Sequence, residues 1–309
     1  MGWRLLRRLV GLGLTVLVVS FLTYAGLTYA PGDAAEALLG EHATAEQVQA
    51  LRQQMGLDAP LPSRYGRYMA AAVGRGDLGR SLVSGRRVSD LVLERLPLTL
   101  LLALTSITLA AVGGLAIGLF SASRHGSRLD LVLTGTTVLG LALPSYWVAL
   151  LLVMLFSLQL RLLPVFGSGT PAHMVLPAVT LALPTAAVVG RISRANVLES
   201  LHADYVRTAL AKGLTSRRAL LHHVIPNSLI PTITLLGLSL GHLIGGAFIV
   251  ETIFAWPGLG RLTVQAIFDR DIPVVMGAVL VVAPLCLAIN LGVDLLQAAL
   301  DPRLRHEAL

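Results

Sequence analysis

Residues 201–231 read L-H-A-D-Y-V-R-T-A-L-A-K-G-L-T-S-R-R-A-L-L-H-H-V-I-P-N-S-L-I-P. This basic, small-residue stretch separates two long apolar runs. Helix signals extend from about 201 to 212, with Lys212 in the last turn and Gly213 as a left-handed stop. Thr215 or Ser216 can N-cap a second helix that continues through Leu220 toward Val224. Pro226 and Pro231 mark the return to an apolar segment. Two short helices joined by a tight elbow, bracketed by apolar runs, predict a loop at a membrane surface.

Composition agrees. Hydrophobic residues make up 55% of the 309-residue chain and charged residues 13%, about half the charge of an ordinary soluble domain. The class is therefore an all-α polytopic membrane protein. The net charge of +7 is dispersed and aromatic residues are 5%, so nucleic acid is not an implied partner and the lipid bilayer is. The single cysteine, Cys286, excludes an intrachain disulfide.

Crossing the hydrocarbon core takes about 20 apolar residues in a helix. Six spans are expected, at 9–30, 97–123, 131–158, 175–190, 229–250 and 273–294. Pro164, Pro171 and Pro177 set the late start of the fourth. The first run follows Arg4, Arg7 and Arg8. A cleaved signal is its competing reading, but the run is about twice the length of a signal core. Lys and Arg concentrate in cytoplasmic loops. With the N-terminus (1–8) inside, thirteen basic residues fall in the inner pieces, which include the 191–228 loop and the 295–309 tail, against three in the short outer loops. Both termini are thus expected in the cytoplasm. Residues 31–96 and 251–272 become extracytoplasmic loops.

The 31–96 loop carries local structure. Thr44-Ala45-Glu46-Gln47 is a capping box, with a helix expected to about Met55 and Gly56 as its stop. Further helices are expected at 65–73 and 88–94. The loop reads as a connector, as a cap over an outer mouth or as a partner surface. In the fifth span Gly237, Gly241 and Gly245 form a small-residue stripe suited to close helix approach, for packing within the chain or between subunits. Ser239 and His242 on a neighbouring face, with Asn290 in the sixth span, are candidates for a translocation path. A hydrogen-bonding role alone is the plainer reading of His242.

Energy-coupling chemistry is missing from the sequence. A phosphate-cradling loop needs Gly-Lys-Ser/Thr, whereas the one lysine, Lys212, is followed by Gly213 and Leu214. The metalloprotease pattern H-E-x-x-H does not occur. His222 and His223 are adjacent, about 100° apart on a helix, and cannot share a metal as an i, i+4 pair does. No metal site and no catalytic residue are expected.

At residues 204–226 the sequence resembles the inner-membrane permeases of ATP-binding cassette importers. Their cytoplasmic motif runs Glu-Ala-Ala, three residues, Gly, nine residues, Ile, one residue, Leu-Pro. Ala209, Gly213 and Pro226 match it. Arg207, Thr208, His223 and Ile225 replace its Glu, first Ala, Ile and Leu. These departures are similar to the dipeptide/oligopeptide/nickel branch, in which D-Y-x-R-T-A-x-A-K-G-L is typical. Gly76-Asp77-Leu78-Gly79-Arg80-Ser81, Glu94-Arg95-Leu96-Pro97, Leu143-Pro144-Ser145, the run from Val250 through Trp256-Pro257-Gly258-Leu259-Gly260, and Asp301-Pro302-Arg303 extend the resemblance over nearly the whole chain.

The resemblance implies the type I importer permease fold and a place in the bacterial cytoplasmic membrane. It implies a heterodimer with a second homologous permease, two cytoplasmic ATPases that bind the ATP and Mg, and an extracytoplasmic solute-binding protein. The coupling residues it implies are Asp204, Arg207, Thr208, Ala209, Ala211, Lys212, Gly213 and Pro226. The substrate it implies is a di- or oligopeptide, with nickel or a metal–chelator complex as the alternative.

Overall fold

A computed structural model describes residues 2–30, 34–40, 43–54 and 56–300. Residues 31–33, Met55 and the Asp301-Pro302-Arg303 motif lie outside the described residues. The architecture is all-α. The helices are α1 (Gly2–Tyr29), α2 (Ala34–Leu39), α3 (Ala45–Gln54), α4 (Leu61–Arg75), α5 (Val88–Ser123), α6 (Arg128–Ala142) and α7 (Ser145–Leu152), followed by a π-helical stretch, Val153–Gln159. Then come α8 (Ala172–Leu201), α9 (Asp204–Ala211), α10 (Ser216–Ala219), a second π-helical stretch (Leu220–Val224), α11 (Ile225–Ile253), α12 (Leu259–Phe268) and α13 (Ile272–Leu300).

Five helical segments among the described residues are long and apolar enough to cross a membrane: Val10–Tyr29, Val88–Ser123, Ala172–Leu201, Ser216–Ile253 and Ile272–Val293. A sixth is a bent pair, α6 with α7 and its π extension, turned by 109°. The straight span expected at 131–158 is thus broken in the middle. Pro144 disfavours the helical region for the residue before it, and Leu143 is extended at φ −85°, ψ 125°.

Prolines mislead in the opposite direction elsewhere. The separate helix expected at 88–94 and the span expected at 97–123 are one helix, with Pro97 inside it. The fourth span, expected at 175–190, begins at Ala172 and runs through Pro177 and Pro184 to Leu201. It therefore occupies part of the loop expected at 191–228. An interior proline forfeits one hydrogen bond, but in a membrane helix neighbouring groups re-satisfy the freed carbonyl.

The chain forms two compact units, residues 1–99 with 257–287 and residues 100–256 with 288–309. In the first, Val88, Leu91 and Val92 of α5 bury against Leu259 and Ala266 of α12 and Val274, Val275 and Ala278 of α13. Gly277 permits this approach, because a Cβ there would stand 2.3 Å from Val88 Cγ1. The capping box forms as expected: Gln47 N donates to Thr44 Oγ1 at 3.3 Å and Thr44 N to Gln47 Oε1 at 2.9 Å.

Residues 31–96 are more than an outer loop. Tyr65 of α4 is buried, donates to Leu17 O at 3.1 Å and lies 2.7 Å from Ser20 Oγ. Leu17 is twelve residues from the end of α1, roughly 18 Å along the helix, so α4 lies alongside the first span. The Gly76–Ser81 motif is a turn tied down at both ends. Gly79, at φ +83°, donates its N–H to Asp77 Oδ1 at 2.9 Å. Ser81 Oγ donates to the buried Asp271 at 2.5 Å, and Leu82 N adds a bond to the same carboxylate at 3.1 Å.

The second unit is organised around α8. A Cβ at Gly114 would meet Ala186 O and Val189 at 2.7 Å, and one at Gly118 would meet Ser193 Cβ at 2.6 Å, so α5 and α8 touch nearly backbone to backbone. Gly140 brings α6 to Ala187. Ser193 and Thr232, both buried, lie 3.3 Å apart between α8 and α11.

Candidate coupling site

The elbow of the second unit is α9, the Lys212–Thr215 turn and α10. Helix α9 starts after the extended Ala203 (φ −70°, ψ 145°), with Asp204 in its first turn, where a negative charge suits the helix dipole. It ends as expected at Gly213, φ +88°. Leu214 N donates to Ala209 O at 3.2 Å and Gly213 N to Leu210 O at 3.0 Å, the paired bonds of a Schellman stop. Thr215 has extended N-cap geometry, but its side chain makes no cap hydrogen bond.

Pro226 does not interrupt the chain's helical course. The backbone is helical from Ser216 to Ile253. The turn before the proline widens to π geometry, in which Ile225 N donates to Leu220 O, five residues back. Such widening relieves the clash between a proline ring and the preceding turn. The elbow's second arm and the fifth span are therefore joined without a break.

The elbow has an inside and an outside. Val206, Ala219 and Val224 bury with Ala122 of α5 and Val197 of α8 in one apolar cluster, padded by Leu119, Leu198, Leu201 and Leu220. Ala209 is 8% exposed and belongs to this inner face. It was expected among the docking residues, but it packs within the chain, because α9 turns its Val206/Ala209 side inward. Asp204, Arg207, Thr208, Ala211, Lys212, Gly213 and Pro226 are exposed. Tyr205 (43%) and Leu210 (42%) add two exposed apolar side chains to the outer face. Sequence reasoning overlooked them, although their offset from Val206 and Ala209 was the available signal. Arg207 and Asp204 lie 3.9 Å apart in full solvent, where an ion pair contributes little.

Close to the elbow in sequence and in space is an ion pair that sequence reasoning also missed. Arg194 of α8 donates to both Asp130 oxygens at 2.8 Å, from Nε and Nη2. Ser121 Oγ and Gly126 N also donate to Asp130, the latter at 3.0 Å. His125 Nδ1 lies 3.0 Å from Arg194 Nη2. The cluster pins the α5–α6 turn to α8 one turn before Val197. Its one local signal is Ser127-x-x-Asp130, an N-cap pattern that forms with Asp130 N to Ser127 Oγ at 3.2 Å.

The candidates for a path are less gathered. Ser239 and His242 of α11 bond to their own helix, Ser239 Oγ to Leu235 O at 2.8 Å, and His242 Nδ1 lies 3.2 Å from Leu238 O. His242 and Asn290 are exposed. The glycine stripe serves packing within the chain at two of its positions. A Cβ at Gly237 would come within 2.5 Å of Val293 Cγ2, one at Gly241 would lie 3.3 Å from Asn290 Oδ1, and Gly245 faces open space.

A membrane fold with this elbow defines a class, and comparison with known proteins names it. Residues 114–306 match the binding-protein-dependent transport system inner membrane component, and residues 1–103 match the N-terminal part of such components. The chain belongs to this family of inner-membrane transport permeases. Among individual relatives, it is 39% identical over 305 residues to the glutathione transport system permease protein GsiC of Escherichia coli strain K12, covering 98% of both chains. It is 38% identical over the same length to GsiC of Shigella flexneri serotype 5b. Among solved structures, it is similar to the MetNI methionine ABC transporter in an inward-facing form (TM-score 0.58, 19% identity, 68% of this chain and 96% of that one). A second similar structure is an amino acid ABC transporter with histidines (TM-score 0.52, 19% identity, 70% and 94%). The type I permease fold is thereby shared.

Proposed function

We propose that this chain is the pathway subunit of an ATP-driven importer for short peptides of the glutathione kind. In this reading it pairs with a second, similar permease, receives solute from an extracytoplasmic binding protein, and is worked by two cytoplasmic ATPases that hold the ATP and Mg. The observation that carries the reading is the elbow: an exposed outer face, Tyr205, Arg207, Thr208, Leu210, Ala211 and Lys212, set on a buried apolar footing. Such a face can seat in a cleft of a motor subunit. Because α10 continues into α11 without a break, a push on the elbow tilts a span, and tilting of packed spans is how alternating access proceeds. The substrate class is supported by the relatives named for glutathione transport.

The test is site-directed crosslinking in the assembled transporter. Thr208→Cys and Lys212→Cys should crosslink to a co-expressed ATPase, and Thr44→Cys should not. Labelled glutathione should accumulate in proteoliposomes only when ATP, the ATPases and the binding protein are all present. Uptake without the ATPases, or crosslinks that ignore the position of the cysteine, would overturn the proposal.

A further inference from the structure

The first unit contains a cavity of about 420 Å³ between α1, α4 and the start of α13. That volume lies within the range of small-molecule sites. Its walls include the apolar Leu57, Ile272 and Pro273, but its polar side is basic, with Arg64, Arg67 and Tyr68. Arg64 stands over the Tyr24 ring, 5.7 Å from its centroid, and spends one donor on Leu57 O at 3.2 Å. A guanidinium has five N–H donors, so most of its capacity remains. The Tyr68 hydroxyl is buried and meets no hydrogen-bond partner, and leaving a buried hydroxyl unsatisfied is unfavourable. Burial, and after it the Asp77 carboxylate, raise the Tyr68 phenol above its ordinary range, which keeps the hydroxyl a donor. Asp77 is itself engaged with the Gly79 N–H.

Two guanidinium groups and an unanswered O–H donor in an apolar-walled cavity call for an anionic oxygen group, a phosphate or a carboxylate. Depth selects between its sources. Tyr24 is five residues before Tyr29, where the first span ends, roughly 7.5 Å along the helix, a depth from which a long arginine side chain reaches the headgroup layer. We propose that this cavity holds the phosphate of a phospholipid, with Arg64 and Arg67 as its cationic partners and Tyr68 as a neutral donor. The lipid would fix α4 against α1 and so hold the outer segment in place. The proposal rests on the chain being a membrane protein and not on which solute it carries.

The probe is phosphatidylglycerol, added to the full-length chain in its detergent-purified complex and read by native mass spectrometry. Diacylglycerol, inorganic phosphate and glutathione serve as parallel arms. Phosphatidylglycerol should be retained and diacylglycerol should not. Arg64→Gln and Arg67→Gln should each weaken retention about tenfold or more, as expected for losing a charge-assisted bond. Tyr68→Phe keeps the ring against Tyr24 and should weaken retention about fivefold. Arg75→Gln, later on the same helix, should bind as wild type, and melting curves identify any variant that has unfolded. Retention that is indifferent to Arg67→Gln and Tyr68→Phe overturns the proposal. So does a site that saturates with glutathione or inorganic phosphate and not with phosphatidylglycerol. Because no ATPase or uptake enters the readout, failure here leaves the transport reading standing.

Discussion

Gly213 offers a direct test of the elbow, because its surroundings isolate a single physical effect. Its φ is +88°, and a Cβ built there meets nothing within 4 Å. A substitution therefore adds backbone strain and no clash. A Cβ in the left-handed region costs about 1–2 kcal/mol, a factor of roughly 5–30 in the ratio of formed to opened elbow. Asparagine tolerates this region better than alanine, and β-branched valine tolerates it worst. Coupled transport should fall in the order Gly, Asn, Ala, Val. Gly237→Ala is the matched control. Its backbone is not left-handed, but its Cβ would stand 2.5 Å from Val293 Cγ2, and overpacking costs about 1–3 kcal/mol as well. The two changes are similar in size and differ in place. Gly213→Val should uncouple ATP hydrolysis from uptake while the thermal midpoint barely moves. Gly237→Ala should lower the midpoint and reduce both activities together. The assay measures uptake and binding-protein-stimulated ATPase in proteoliposomes, beside a melting curve. Wild-type coupling in Gly213→Val, or Gly213→Asn worse than Gly213→Val, would refute the reasoning.

Three further outcomes are expected. Ser81→Ala removes a hydrogen bond to the buried Asp271 carboxylate, a loss of about 1.5–3 kcal/mol. Amide exchange over residues 81–87 should quicken, with Ser81→Thr largely restoring it. Asp130→Asn and Arg194→Gln should each lower the thermal midpoint, and the double variant should lose less than the two losses added, since either single change strands a charge. Strict additivity would mean that the pair is not coupled. Thr44→Ala should destabilise α3 by about 1 kcal/mol, seen as faster exchange over residues 45–54. Unchanged exchange would mean that the capping box contributes nothing in the folded chain.

Two local readings hold in the structure. The Thr44–Gln47 box and the Gly213 stop each involve hydrogen bonds between residues a few positions apart, and both form as their spacing predicts. Prolines were the recurrent error. Pro144 breaks a span that apolar composition made look continuous, whereas Pro97, Pro177 and Pro226 sit in helices that continue through them. Whether a proline ends a helix depends on whether neighbours and a widened turn can absorb the lost bond, which is a property of the packing around it.

By itself, the sequence determined an all-α membrane protein and a small-residue elbow closed by a glycine. It also excluded a phosphate-binding loop. Hydropathy, turn chemistry and a missing motif are written in consecutive residues. Only the tertiary structure decided that Ala209 faces inward while Tyr205 and Leu210 face out, and that α4 lies along α1. It alone joined Ser81 to Asp271, 190 residues away, and Arg194 to Asp130, 64 away. The face a helix buries and the partner a buried charge finds depend on what the rest of the fold brings near, and no short window of sequence contains that.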